Sequence, residues 1–319
     1  MKKVIIKAPV NTLQGAHMQA DAGAGEFYCG FEYNDYGNNI TFSGRTKYSC
    51  FDKRKTVLSY DDFVETVAFA HANGIKVELV ANVPWANNCN FTGEKDTRKH
   101  YLDYVKRGID AGVDRVIVGD LGNLLYLKNS GINIPITIST FLITLNKSTL
   151  KFYEEMGIDK VVLPHPLSIE EIKDITQSTK VKIEIFGHFG CSFLEGTCGL
   201  LHLNNPNFQT GIPCRAKYRI KETSEEINIL DVNEDCSLCQ LDKIMETGVD
   251  SIKTIGRDLD PGFMAGITAV YSRAIDLFLE GKDNREVLET IKEEMDFSLW
   301  EQVFCNYDRC KYLSNAYNI

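Results

Sequence analysis

The feature that most constrains this chain is a short phrase that recurs where one kind of segment gives way to another. Asn73-Gly74-Ile75, Ala111-Gly112-Val113-Asp114, Met156-Gly157-Ile158-Asp159 and Thr247-Gly248-Val249-Asp250 each follow an amphipathic stretch and precede a β-branched run. A glycine just past a helix supplies the left-handed residue that ends it, and β-branched residues favour a strand. Repeated in this way, the phrase marks βα units in series.

Taken in order, β-branched runs predict strands at residues 4–9, 26–30, 75–82, 115–120, 134–139, 160–164, 181–186 and 251–257. Helical spacing of apolar residues predicts helices between them, at 13–24, 61–73, 99–111, 121–128, 147–156, 168–177 and 241–247, with two more at 261–280 and 285–295. Ser168 and Glu171 have the spacing of a capping box. The loop carrying Asn34-Asp35-Tyr36-Gly37-Asn38-Asn39 holds turn formers and no helical period. Eight strands alternating with helices fit a (β/α)8 barrel, with strands expected to be short and nearly continuously apolar. A doubly wound sheet is the alternative, because strand count does not prove closure. Gly23-Ala24-Gly25 precedes a strand instead of following one, which argues against a dinucleotide loop. The organisation expected is one barrel domain over 1–319, with a cysteine-rich insert at 188–240 and a helical extension at 284–319.

A chain of 319 residues can bury such a core, and its net charge of −9 argues against a nucleic-acid surface. The apolar part of Met1–Lys7 is too short for a signal peptide, and no run is read as reaching the roughly 18–20 apolar residues of a membrane span. A cytoplasmic setting is expected. There, cysteines serve more often as thiols, catalytic groups or ligands than as disulfides.

In a barrel of this kind the loops after the strands build the active face. Asn11, Glu32, Asn82, Asp120, Thr140, His165, His188, Cys191 and Arg257 fall there, and gain weight only as a set. The cysteines speak more strongly. Cys191, Cys198, Cys214 and Cys236 are spaced C-x6-C-x15-C-x21-C, or C-x24-C in the last step if Cys239 is used. Zinc ribbons pair ligands as C-x2-C twice, and only Cys236 and Cys239 do so here. Long irregular separations suit an iron–sulfur cluster collecting thiolates from scattered loops; buried structural thiols are the competing reading. Cys305 and Cys310 show no matching pair, and ordinary burial is expected for them and for Cys29, Cys50 and Cys89. No nucleophile elbow, zincin helix or phosphate loop is present.

The motifs Gly187-His188-Phe189-Gly190-Cys191, Glu195-Gly196-Thr197-Cys198, Pro213-Cys214-Arg215, Asp235-Cys236 and Val249-Asp250-Ser251-Ile252-Lys253-Thr254-Ile255-Gly256-Arg257 resemble those of the collagenase-like (PrtC-type) unclassified peptidase family. The likeness extends upstream through Val116–Gly122, Ser139-Thr140, Ala8-Pro9 and Arg45. In length and cysteine pattern the chain is similar to the UbiU/UbiV-type iron–sulfur members. It departs at Pro164-His165-Pro166, where the family carries an Arg-Glu pair, and in its extra Cys239.

The resemblance implies a 4Fe-4S cluster on Cys191, Cys198, Cys214 and Cys236, with Cys239 as alternative fourth ligand and zinc as alternative occupant. It also implies oxygen-independent hydroxylation of a small-molecule or macromolecular substrate. His188, Asp120 and His165 are candidates for catalysis, His188 because an imidazole titrates near neutral pH. Arg45 and Arg257 could clamp an anionic carboxylate cosubstrate, with Asn82 and Thr140 beside them. The historic family label gives the alternative of a collagenase-like peptidase. A third reading is a metal-holding, non-catalytic subunit that works with a homologous partner.

Overall fold

The computed structural model describes residues 2–35, 38–40, 42–43, 57–83, 97–189, 218–219, 226–227, 236–257, 259–295, 298–305 and 310–312. In chain order the strands are β1 (Ile5–Pro9), β2 (Glu26–Cys29), β3 (Tyr33–Asp35), β4 (Asn38–Ile40), β5 (Lys76–Ala81), β6 (Arg115–Val118), β7 (Ile136–Ile138), β8 (Lys160–Val162), β9 (Lys182–Phe186), β10 (Tyr218–Arg219), β11 (Glu226–Ile227) and β12 (Ser251–Lys253). Eight of them close a barrel in the order β1, β2, β5, β6, β7, β8, β9, β12 and back to β1, every neighbour parallel. This is the (β/α)8 fold, and closure through the β1–β12 pair excludes the doubly wound alternative. The remaining strands form two small antiparallel hairpins, β3–β4 and β10–β11.

Local chemistry places the helix ends where the sequence does. Gly74, Gly112, Gly157 and Gly248 have φ of +70°, +99°, +69° and +86°, the left-handed region that a Cβ disfavours. Ser168 caps Ile169–Thr176 through a full capping box: its Oγ accepts from Glu171 N at 3.2 Å, and its own N donates to Glu171 Oε2 at 2.8 Å.

The strands are not continuously apolar, which corrects the expectation. Side chains alternate across a strand, and one layer of inward positions here carries charged and hydroxyl side chains: Lys7, Glu26, Glu78, Arg115, Thr137, Lys160, Glu184 and Ser251. Lys7 donates to Glu78, and to Glu184 at 2.9 Å. Arg115 reaches Glu78 at 3.0 Å and Asp159 at 2.5 Å. Lys160 pairs with Glu26, and with Glu78 at 3.1 Å. Thr137 and Ser251 donate hydroxyls to Glu78 at 3.0 Å and to Glu184 at 2.9 Å. Glu26, Glu78 and Glu184 present oxygens within 4.8 Å of one another. That trio calls for no metal, because the Lys7, Lys160 and Arg115 side chains supply the positive charge between them. Burial alone would push the Glu78 carboxyl up, but Lys7, Lys160 and Arg115 outweigh it and hold it well below the usual range.

Outside the barrel, the outward-facing Ile, Val and Leu side chains pack under the helices. The helix Pro261–Leu279 starts on a cap from Asp260, whose Oδ1 accepts from Phe263 N at 3.0 Å. It packs on β1 and on the helix Leu13–Asp21. Among the described residues it is the one helix long and apolar enough to cross a membrane, contrary to the expectation of none, and 56% of its apolar window is buried inside the fold. Its hydrophobicity is that of a core helix.

Candidate functional site

Above the charged layer the barrel interior narrows to Tyr28, Val80 and Ile117 on one side and Val162, Phe186 and Ile255 on the other. Lys253 lies between them, at the C-terminal end of β12. Its ammonium is 4.2 Å from the centroid of the Tyr28 ring and 3.6 Å from Glu184. Burial lowers the Lys253 pKa to about 7; Lys7 and Arg257 push the same way against Glu184 and Glu78. The Arg257 guanidinium stands 5.5 Å from the same Tyr28 ring, and its backbone carbonyl accepts from Asn11 Nδ2. Two basic side chains thus flank one aromatic ring at the barrel mouth. Lys253 is absent from the site predicted by sequence, although Ser251-Ile252-Lys253 lies in the same motif as Arg257.

Of the other predicted residues, Asn82 donates to Ser139 Oγ at 3.2 Å, next to the buried Thr140. Their strand ends lie close because Gly119 lets the backbone of Asn82 pass: a Cβ there would stand 2.4 Å from the Asn82 carbonyl oxygen. Asp120 accepts from Asn123 N at 2.8 Å and so caps the helix Leu121–Asn129. One of its oxygens therefore has a structural task. Arg45, Cys191, Cys198 and Cys214 lie outside the described residues.

His188 differs from its expected role. It is completely buried, and its Nε2–H donates to the Ile255 carbonyl at 3.1 Å. Burial, aided by Lys311 and only partly opposed by that bond, lowers its pKa to about 3. The imidazole is neutral at physiological pH and does not titrate there. Its Nδ1 is buried without a hydrogen-bond partner among the described residues, leaving a lone pair able to accept a proton donor or meet a metal. His165 is also buried, stacked on Phe186 at 4.0 Å, with Nδ1 accepting from Lys311 Nζ at 2.8 Å.

One of the proposed cluster cysteines can be placed. Cys236 forms an isolated antiparallel bridge with His188, and Ser237 N and Oγ both donate to the Gly187 carbonyl, at 3.1 and 2.6 Å. The segment is therefore stitched to the end of β9, immediately before Cys191. Gly187 admits the close packing: a Cβ would stand 2.8 Å from Ile252 Cγ2. Cys236 Sγ accepts from Leu238 N at 3.4 Å and from the Trp300 side chain. Burial raises this thiol to about 12, so a metal-free Cys236 is protonated. On its far side Cys236 bridges Cys310, and Lys311 N donates to its carbonyl at 2.7 Å. The expected burial of Cys305 and Cys310 as isolated thiols is therefore incomplete: both are half-buried and stand near Cys239.

The sequence matches Peptidase family U32 over residues 11–307, and the chain belongs to that family. Its curated relatives include tRNA hydroxylation protein P1 of Bacillus subtilis (strain 168), 26% identical over 82% of this chain and 64% of the relative. The 23S rRNA 5-hydroxycytidine C2501 synthase of Escherichia coli (strain K12) is 27% identical over 70% of this chain and 34% of the relative. A collagenase of Porphyromonas gingivalis (strain ATCC BAA-308 / W83) is 22% identical over 91% of this chain and 70% of the relative. The chain spans 64% and 42% of the length of the first two tRNA hydroxylation proteins it matches. Among solved structures, a dihydrodipicolinate synthase superposes with a TM-score of 0.50 at 10% identity, covering 97% of this chain and 86% of that one. That likeness is of fold alone.

Proposed function

We propose that this chain is an iron–sulfur protein of the hydroxylation branch of its family, with Cys191, Cys198, Cys214 and Cys236 holding a 4Fe-4S cluster at the C-terminal mouth of the barrel. The observation that carries this is the pairing of Cys236 with His188, which brings the last cysteine of the set to the strand end that the first one follows. The donor set fits the group. Cys236 is buried, and N–H groups from Leu238 and Trp300 already face its sulfur, as hydrogen bonds that tune a cluster do. When bound, the cluster would supply single electrons to the reaction. Lys253 and Arg257 around Tyr28 form the basic end of the site, suited to an anionic carboxylate cosubstrate. Asn82, after β5, and Ser139 and Thr140, after β7, offer hydrogen bonds at the same end of the barrel, and Arg45 is a further candidate clamp. The neutral His188 is held by the Ile255 carbonyl, with its Nδ1 lacking a hydrogen-bond partner among the described residues; proton transfer falls to Lys253, whose pKa lies near neutrality.

The relatives named for tRNA and rRNA hydroxylation put an RNA base first among substrates to test, and the net charge of −9 weighs for a smaller one. A reducing, cytoplasmic setting suits the free thiols. The test is anaerobic purification with iron and sulfide counted per chain. About four of each is expected, with loss in Cys191→Ser or Cys236→Ser. Nucleoside mass spectrometry of total RNA, with and without the chain, then examines the substrate. An iron-free protein from anaerobic cells would overturn the reading. The peptidase alternative rests on the family description and the collagenase relative. Gelatin cleavage by the pure chain, lost in Lys253→Met and independent of iron, would establish it instead.

A further inference from the structure

We infer that residues 310–312 belong to the barrel mouth and that Lys311 is the positioning residue of His165. It holds that imidazole with its hydrogen on Nε2, so that His165 meets the substrate as a hydrogen-bond donor and not as a base. This rests on the reading of the barrel mouth as the active site. Three residues in a row make the docking. Cys310 pairs with Cys236 through a parallel bridge, and Lys311 N donates to the Cys236 carbonyl at 2.7 Å. The Tyr312 hydroxyl donates to the Phe186 carbonyl at 2.9 Å. Between them the Lys311 side chain, fully buried, reaches the ends of two barrel strands. Its Nζ donates to Nδ1 of His165, after β8, at 2.8 Å, and to the carbonyl of Phe189, after β9, at 3.3 Å.

The bond to His165 fixes what the ring can do. An ammonium donates and never accepts, so Nδ1 is the acceptor and the ring hydrogen sits on Nε2. A hydrogen on Nδ1 would face the ammonium donor to donor across the same 2.8 Å. A nitrogen that already carries its hydrogen cannot take another from a substrate, but it can polarise a carbonyl or carboxylate oxygen. The ring plane is fixed as well. His165 lies on Phe186 with centroids 4.0 Å apart and planes 12° from parallel, and Phe186 lines the barrel interior with Val162 and Ile255. Backbone strain marks the same place. Phe189, with φ of +56°, and Tyr312, with φ of +61°, are the two non-glycine residues in the left-handed region among the described residues. Lys311 holds the carbonyl of the first and directly precedes the second. Such a backbone is costly for a residue with a side chain, and it persists where its surroundings hold it, as at functional sites. A lysine that only pinned the chain would be served by the Phe189 carbonyl; the shorter of its two bonds goes to the imidazole.

The experiment labels the histidines of the full chain isotopically, purifies it anaerobically and reads each imidazole tautomer from long-range proton–nitrogen correlations. The signal lost in His165→Gln is that of His165. In the unmutated chain the Nε2–H form is expected, with Nδ1 shifted as a hydrogen-bond acceptor. In Lys311→Met that form is expected to give way to a mixture of tautomers, and in Lys311→Arg, which keeps a donor, to persist. RNA hydroxylation at equal iron per chain is expected to fall roughly tenfold or more in Lys311→Met, and to recover in Lys311→Arg. A His165 with its hydrogen on Nδ1, or on both nitrogens, in the unmutated chain would overturn the proposal with no variant required to fold. So would an unchanged tautomer in Lys311→Met, or full hydroxylation by a Lys311→Met chain whose tautomer has shifted. An unmutated chain that lacks iron or leaves RNA unchanged counts against the proposed function, while the tautomer, read without turnover, still decides the role of Lys311.

Discussion

Lys253 shows how one residue can carry both cost and purpose. Its pKa falls from an ordinary 10.5 to about 7 because burial disfavours the ammonium and Lys7 repels it. Between those two values the unfolded chain binds a proton that the folded chain declines, so this group makes stability rise with pH from about 7 to 10.5 and adds no slope below 7. Lys253→Met is therefore expected to stabilise the protein at neutral pH, by up to roughly 4–5 kcal/mol, and to flatten the alkaline part of the stability curve. Urea denaturation between pH 6 and pH 10 checks this; an unchanged slope would show that Lys253 is charged in the fold. Under the proposed function the same variant loses turnover while keeping its iron. A stabilising substitution that abolishes activity is the signature of a residue kept for chemistry.

At the scale of elements, the glycines that end the helices and those that let strands pass differ in what they demand. Gly74 has φ +70°, and a Cβ added to it would meet nothing within 4 Å, so Gly74→Ala is expected to cost about 1 kcal/mol from backbone conformation alone. Gly119 has no such φ, but its Cβ would meet the Asn82 carbonyl at 2.4 Å. Gly119→Ala must push β5 and β6 apart at the active face. It is expected to impair cosubstrate binding as well as stability, which thermal melts beside binding titrations would separate from Gly74→Ala. The Gly74 type is legible in the sequence, because a helix stop is a local matter of one residue and its predecessors. The Gly119 type is not, since its reason lies on another strand. The same distinction divides the site. Strand order, caps and the Ser168–Glu171 box are local patterns, and the structure has them as expected. The inward charges look in the sequence like mere interruptions of apolar runs, because Lys7 and Glu184 are 177 residues apart and no local pattern pairs them. His188 stands out in the sequence for its ordinary pKa, which burial overrides. Cys305 and Cys310 show no ligand spacing along the chain, and their nearness to Cys239 arises only in the fold.

For the whole molecule, the charged layer ties strands from all round the barrel. Glu78 alone meets Lys7 from β1, Arg115 from β6, Thr137 from β7 and Lys160 from β8. Its depressed pKa means that the stability it confers is present above the ordinary carboxyl value of 4.5 and lost as pH falls below it. Glu78→Gln is expected to cost about 3–5 kcal/mol at pH 7, since it strands buried cations, and less at low pH. Denaturation followed by both far-ultraviolet and near-ultraviolet dichroism provides the measurement. A loss below about 1 kcal/mol would mean the cations have other partners. The layer has a further consequence for how the fold can fail. A half-assembled barrel, or one whose last strand has been borrowed by a neighbouring copy in the wrong register, leaves Lys7 or Glu184 facing an apolar wall with no counter-charge. Partial and exchanged forms are thereby made expensive, so the ring of ions acts as a proofreader that accepts the closed circle and little else.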